Sequence, residues 1–283
     1  MKKHFKKLLL MALMAVMAVG LIACGTDKSD NESTKEEKTS VTITSLDSSK
    51  NEIELEVPYN PKRIAILDLA SLDIIDELGV GDRVVGMAST SIDYLEKYSN
   101  DASIKNLGTI KEADLEAVME CEPDIIFGGR LSKSYDALSE IAPVVYLATD
   151  TNEGLVNSVS KNAKTIASIF GMEDKVDSLM SDFGARIDAI KKISSGKTAL
   201  VGMTTSGSFN LLGNDGRCSL IGVEAGFNNL TAAGSTSTHG NETSFETVVK
   251  QNPDYIFVMD RDSAISTAGA KTAKEIVENE LVK

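Results

Sequence analysis

Six arginines, Arg63, Arg83, Arg130, Arg186, Arg217 and Arg261, stand among 29 basic residues, so lysine carries the routine solvation of this surface. Three of the six occupy telling places: Arg130 closes "FGGR", Arg217 closes the glycine-rich "LLGNDGR", and Arg261 closes "FVMDR". Each follows a predicted strand or sits in a glycine-rich loop. A guanidinium is planar, permanently charged and multi-donor, which suits carboxylate, phosphate or catecholate oxygens. One such arginine could equally pair with a nearby acid such as Asp260 or Asp262; three in equivalent loops point to an anionic ligand. The remaining candidate is His239, in the small-residue loop "STSTHGNETSF". It is either a surface residue or, where a ligand already coordinates a metal, one imidazole that completes the shell. By itself the chain lacks the three or four ligands of a zinc or manganese site. No G-x-S-x-G, H-E-x-x-H, Walker or G-x-G-x-x-G pattern occurs, which argues against an enzyme and implies no intrinsic cofactor.

The elements that must position these groups follow an α/β scheme. Residues 40–58 alternate apolar and polar at Ile53, Leu55 and Val57 around a polar turn, predicting a β-hairpin. Then strands and helices alternate: "RIAILD", the helix "LASLDIIDELGV" with Leu72, Ile75 and Leu78 on one face, "RVVGMA", the helix "DLEAVMECEP", "DIIFGG", the helix "SYDALSEIA" and "PVVYLA". Continuous apolar strands between helices predict parallel sheets covered on both faces. The second half repeats the scheme with the strand "TALVGM", the helices "SLIGVEAGF" and "SFETVVKQNP", and the strand "DYIFVMD".

At an offset of 130, Glu112/Glu242, Glu116/Glu246, Val118/Val248, Pro123/Pro253, Asp124/Asp254, Ile126/Ile256 and Phe127/Phe257 are identical. A helix closed by Pro-Asp before a buried strand suits any α/β protein, so the match supports two like lobes without requiring them. Between the halves, Leu155, Val159, Ile166 and Phe170 form one helical stripe, and Val176, Leu179, Phe183, Ile187 and Ile190 a second, with Gly171 as the break. The second helix, of about 20 residues, spans ~30 Å and would join the lobes as a stiff hinge. The second lobe stops short of a closing strand and helix, so the chain is expected to be incomplete at its C-terminus.

Residues 1–23 carry four lysines and then an apolar run, Leu8 to Ala23, of about the length of a secretion-signal core and shorter than the ~20 residues of a membrane span. The following "GTDKSDNESTKEEKTS" has no large apolar residue and reads as a disordered tether. Removing residues 1–23 takes the formal net charge from −13 to −17, which excludes nucleic acid as an expected partner. Cys121 and Cys218 fall in different halves and read as two free, mostly buried thiols. The expected division is a signal segment 1–23, a tether 24–40, a first lobe 41–151, interlobe helices 152–195 and a second lobe 196–283.

The ending "LIAC" resembles the lipobox of bacterial lipoproteins, which implies cleavage before Cys24, its lipidation, and an anchor on the outer face of a membrane. With "NPKRIAILDLASLDIIDELGVGDRVVG", "LEAVMECEPDIIFGGRLSKSYDALSEIAP", the long linking helix and "NPDYIFVMDRD", the chain resembles the substrate-binding lipoproteins of iron-siderophore ABC transporters, in the branch that takes enterobactin- or petrobactin-type catecholates. The resemblance implies a periplasmic-binding-protein-like fold of two Rossmann-like lobes with parallel sheets on a long rigid interlobe helix. It implies a monomer that delivers a ferric siderophore to an ABC permease dimer with its ATPase. It assigns Arg130, Arg217 and Arg261 to the catecholate oxygens, and His239 to the iron of a tetradentate complex, opposite a tyrosine beyond the last lobe strand. It assigns Glu116 and Glu246 to permease docking, although from spacing alone both read as ordinary solvated helix residues. The alternative cargo is haem or a corrinoid, with His239 as axial ligand and Met87 opposite.

Overall fold

In the computed structural model, residues 38–129, 134–150, 153–231, 237–265 and 267–278 are described; the signal segment, Cys24 and Arg130 lie outside them. The expected hairpin forms. β1 (Ser40–Leu46) and β2 (Glu52–Pro58) pair antiparallel from Ser40↔Pro58 to Leu46↔Glu52. Its turn is tied by the Asp47 carboxylate, which accepts the N–H groups of Ser49 and Asn51, both at 2.8 Å.

The first lobe is built on β3 (Ile64–Leu67), α1 (Leu69–Leu78), β4 (Val84–Met87), α2 (Glu96–Ser99), β5 (Lys105–Asn106), α3 (Leu115–Glu120), β6 (Ile125–Gly128), α4 (Tyr135–Ser139) and β7 (Val144–Val145). Its strands run parallel in the order β5-β4-β3-β6-β7. Every residue of β3 and β6 is buried, as a sheet covered on both faces requires. Asp68 caps α1 by accepting the Ser71 N–H, Gly79 (φ 79°) ends it, and Leu72, Ile75 and Leu78 are buried. Met87 is 3% exposed within this core. It therefore cannot serve as an axial ligand opposite His239, which removes that part of the haem alternative.

The two long helices are α5 (Leu155–Phe170) and α6 (Glu173–Ser194, 22 residues), separated at Gly171. Gly171 is left-handed (φ 66°), a conformation that L side chains rarely adopt, and a Cβ there would also meet the Tyr59 hydroxyl, so glycine suits the corner. The apolar stripe of α5 is pressed into the first lobe, where Ala163, Ile166, Ala167, Ile169 and Phe170 join its core. α5 is thus a layer of the first lobe, and α6 alone makes the crossing. The sequence showed that α5 has an apolar face but not what covers it.

The second lobe contains β8 (Thr198–Thr205), β9 (Ser208–Leu211), α7 (Ser219–Gly222), β10 (Asn228–Asn229), β11 (Asn241–Glu242), α8 (Phe245–Gln251), β12 (Tyr255–Asp260), α9 (Arg261–Ala264) and α10 (Ala273–Val277). Its sheet is mixed, which corrects the expectation of a parallel one. β10 and β12 run parallel to β8, whereas β9 folds back antiparallel and β11 pairs antiparallel with β9. The cause is a tight turn at Ser206 (φ 52°) and Gly207 (φ 79°), two successive left-handed residues that match the twist of a hairpin. The helix expected over 219–227 is only α7, since the chain leaves it before Gly226 (φ 79°). A further contact crosses between the lobes: Glu224, after α7, accepts the Val156 N–H of the first turn of α5 at 3.2 Å. At the far end of α6 the Ser194 hydroxyl donates to the Ala225 carbonyl. Cys121 and Cys218 are free thiols, the first buried and the second half-buried.

The internal repeat is geometric as well as numerical. Asp114 caps α3 through the Ala117 N–H, and Ser244 caps α8 through the Thr247 N–H. Both helices run into a left-handed non-glycine residue, Glu122 (φ 44°) and Asn252 (φ 45°). Then Asp124 accepts the Lys62 and Arg63 N–H groups before β3, while Asp254 accepts the Thr198 N–H and hydroxyl at the start of β8. A generic helix-strand unit does not demand the same clamp to the first strand of each lobe.

Two carboxylates of the second lobe carry an acid signature. The Thr198 N–H, then its hydroxyl, hold Asp254 below the usual carboxylate range. Asp260 is held low first by the Ala273 N–H and, against some burial, by Ser263. A depressed folded-state pKa stabilises above the unfolded value of about 3.9 and is lost as pH falls through the folded one. Urea midpoints measured from pH 6 to pH 3 are therefore expected to drop below about pH 4. The drop should be shallower in Asp254→Asn and Asp260→Asn; identical profiles would remove these carboxylates from the acid response.

Candidate functional site

In open parallel sheets ligands gather beyond the carboxyl ends of the strands, where the strand order reverses. In the first lobe that point lies between β3 and β6. β3 delivers Asp68, whose carboxylate also accepts the Ser71 hydroxyl at 2.7 Å. β6 delivers Gly129, where a Cβ would stand 2.9 Å from Asp68 Oδ1, so the strands converge only because position 129 has no side chain. A cavity of about 570 Å³ opens here, walled by Asp68, Ser71, Tyr94, Gly129 and Tyr146. Partial desolvation at the cavity wall, then the Asp73 carboxylate, raises the Tyr94 phenol above its usual range, although the residue is 64% exposed. Arg130, the expected first-lobe arginine, directly follows Gly129 and lies outside the described residues.

In the second lobe the parallel pair β8–β12 ends at Thr204↔Asp260, and Arg261 follows at once. Its Nη1 reaches Asp262 Oδ1 at 3.1 Å and Thr205 Oγ1 at 3.3 Å. Asp262 is 5% exposed and also accepts the Ser206 N–H at 2.6 Å and the Thr205 hydroxyl. The ion pair that the sequence offered as the ordinary fate of Arg261 is therefore present. It does not hide the guanidinium, which keeps 32% of its side-chain surface in solvent. Asp262 fixes one edge of the fork and leaves Arg261 at the strand ends.

The Arg217 side chain reaches the turn that carries His239. Arg217 Nε donates to the Thr238 carbonyl at 3.1 Å, and the Asn210 side chain of β9 donates to the His239 carbonyl at 2.9 Å. Gly240 (φ 76°) closes this turn against β9, where a Cβ would lie 2.8 Å from the Leu211 carbonyl. Arg217 and His239 are both exposed. The structure thus joins Arg217 to the histidine turn and seats Arg261 at the ends of β8 and β12. Arg63 and Arg83 are spent on architecture: the first donates to the Cys121 and Glu122 carbonyls, the second to Asn60 and Pro61 while lying over the Phe170 ring. Thr205 and Asn210 escaped the sequence reading, which named Asp262 as a partner for Arg261 but not its burial. Among the described residues no cluster of three or more His, Cys, Asp or Glu side chains could hold a metal ion.

Residues 64–283 match the periplasmic binding protein family. The chain is 36% identical over 289 aligned residues to the petrobactin-binding protein YclQ of Bacillus subtilis (strain 168), covering 98% of this chain and 87% of that protein. The chain belongs to the periplasmic binding protein family. Membership makes it a binding protein rather than an enzyme. The YclQ crystal structure superposes with a TM-score of 0.77, covering 86% of this chain and 85% of that one. The catecholate-siderophore binding protein VctP of Vibrio cholerae superposes with a TM-score of 0.76 at 28% identity, covering 86% of each chain. BauB, bound to two acinetobactin molecules and ferric iron, gives 0.72 at 26% identity, covering 86% of this chain and 84% of that one.

Glu116 and Glu246 occupy equivalent places in the first turns of α3 and α8, and both are exposed. Backbone N–H donation, then the Ser244 hydroxyl, lowers the Glu246 pKa and keeps it ionised.

Proposed function

We propose that this protein captures a ferric siderophore of the catecholate type and delivers it to an ABC permease dimer with its ATPase for iron uptake. The observation that carries the reading is Arg261, held at the strand ends by a buried carboxylate yet partly open to solvent, in a fold whose relatives are named for siderophores. A ferric catecholate is polyanionic, and apolar surface cannot compensate that charge. Arg130, Arg217 and Arg261 supply three guanidiniums to do so. His239 stands in the turn tied to Arg217 and would add an imidazole to iron left with open positions; the iron is cargo. Cys24 carries the lipid that holds the monomer at the extracytoplasmic face, and Glu116 and Glu246 dock it on the permease.

Quenching of intrinsic tyrosine fluorescence by ferric catecholate, ferric hydroxamate and haemin tests the cargo, the chain having no tryptophan. The catecholate complex is expected to bind tightest; tight binding of haemin alone would sink the siderophore reading. His239→Ala is expected to weaken a tetradentate ferric catecholate by roughly tenfold, about 1.4 kcal/mol, and to leave a hexadentate one within about twofold. Equal losses for both would rule out iron ligation by His239.

A further inference from the structure

Two large apolar side chains that the fold leaves in water stand in register with the repeat. Met119 is 58% exposed, three residues after Glu116 on α3, and Val249 is 46% exposed, three residues after Glu246 on α8. Residues three apart on a helix share a face, so each carboxylate has an apolar neighbour at its side. The shared caps, left-handed exits and aspartate clamps of the two helices place these pairs equivalently in their lobes. The inward side of each helix is already filled by Val118 and Val248, so Met119 and Val249 are not displaced core residues. A single exposed apolar residue is ordinary. One beside an acid, at the same position of both lobes, is not required by either lobe's own packing.

We infer that Glu116–Met119 and Glu246–Val249 are two matched contact feet that seat on a two-fold symmetric membrane partner. Each half of that partner would offer a basic side chain beside an apolar hollow. The inference rests on the docking reading above and deepens it: the carboxylates supply a contact that salt screens, and the apolar side chains supply one that it does not.

The test titrates the full chain against nanodiscs holding the permease dimer with its ATPase, at about 0.1 M and about 0.5 M salt. Met119→Ser and Val249→Ser are each expected to weaken docking roughly fivefold at both salts, and the double variant roughly 25-fold. Met119→Leu should dock like the parent. Glu116→Gln and Glu246→Gln should weaken docking at low salt, with a smaller deficit at high salt. If the serine variants dock like the parent while the glutamine variants fail, the apolar feet are overturned and carboxylate docking stands. If all of them dock like the parent, the docking reading falls and takes the feet with it.

Discussion

Arg261→Ala is expected to weaken ferric catecholate binding by about 10- to 100-fold, a loss of ~1–3 kcal/mol, with a smaller loss of stability in the unliganded protein than Asp262→Ala. The magnitude follows from what the guanidinium has already been given. Asp262 and Thr205 hold Nη1, so little side-chain entropy remains to be lost when the ligand arrives. Asp262→Ala should behave differently. It removes the acceptor of the Ser206 N–H, the Thr205 hydroxyl and Arg261 together, in a place nearly closed to water. Stranding those donors costs both stability and ligand affinity. Isothermal titration with thermal melts separates the two variants. If Arg261→Ala lost stability but kept its affinity, the arginine would be a structural ion pair and no part of the ligand site.

The second large effect lies in the core. Phe127→Ala is expected to destabilise the fold by about 3–5 kcal/mol, because Phe127 is fully buried in β6 and a cavity there cannot collapse against strands on both sides. Its counterpart in the repeat, Phe257, is only half-buried and lies edge-on to Phe227. Phe257→Ala should cost about 1–2 kcal/mol, by the smaller area it withdraws from water. Urea denaturation measures both. Equal losses would mean that the two strands are equally enclosed, against the burial seen here.

Much of the first lobe was readable in the chain because its strands are continuous apolar runs and its helices carry their own stop signals, such as Gly79 after α1. The second lobe was harder. The hairpin return at Ser206–Gly207 is short, and the glycine- and serine-rich stretch after it resembles loop, so β9 and the mixed sheet were missed. The position of Arg261 beyond a strand end was legible in the chain. Its support was only half so: "DRD" offers Asp262 as a partner, and nothing there says that this acid is buried and triply bonded. Asn210 and Thr205 act from a hairpin whose existence had to be known first. The repeat could be counted in the sequence but not weighed there; the matching clamps from Asp124 and Asp254 gave it structural meaning.

The Glu224–Val156 hydrogen bond changes what kind of joint the protein has. A single helix between two bodies leaves them free to bend and to twist about it. Here the chain crosses once along α6, and the second lobe also grips the first turn of α5, with Ser194 and Ala225 fastening the end of the crossing helix. Glu224 and Ala225 are consecutive, and Glu224 shares a cavity wall with Gly184, Ile187 and Lys191 of α6, so the helix and the added bond grip one corner of the second lobe together. Twisting the second lobe about α6 would have to break the Glu224–Val156 bond, which turns a free swivel into a braced one.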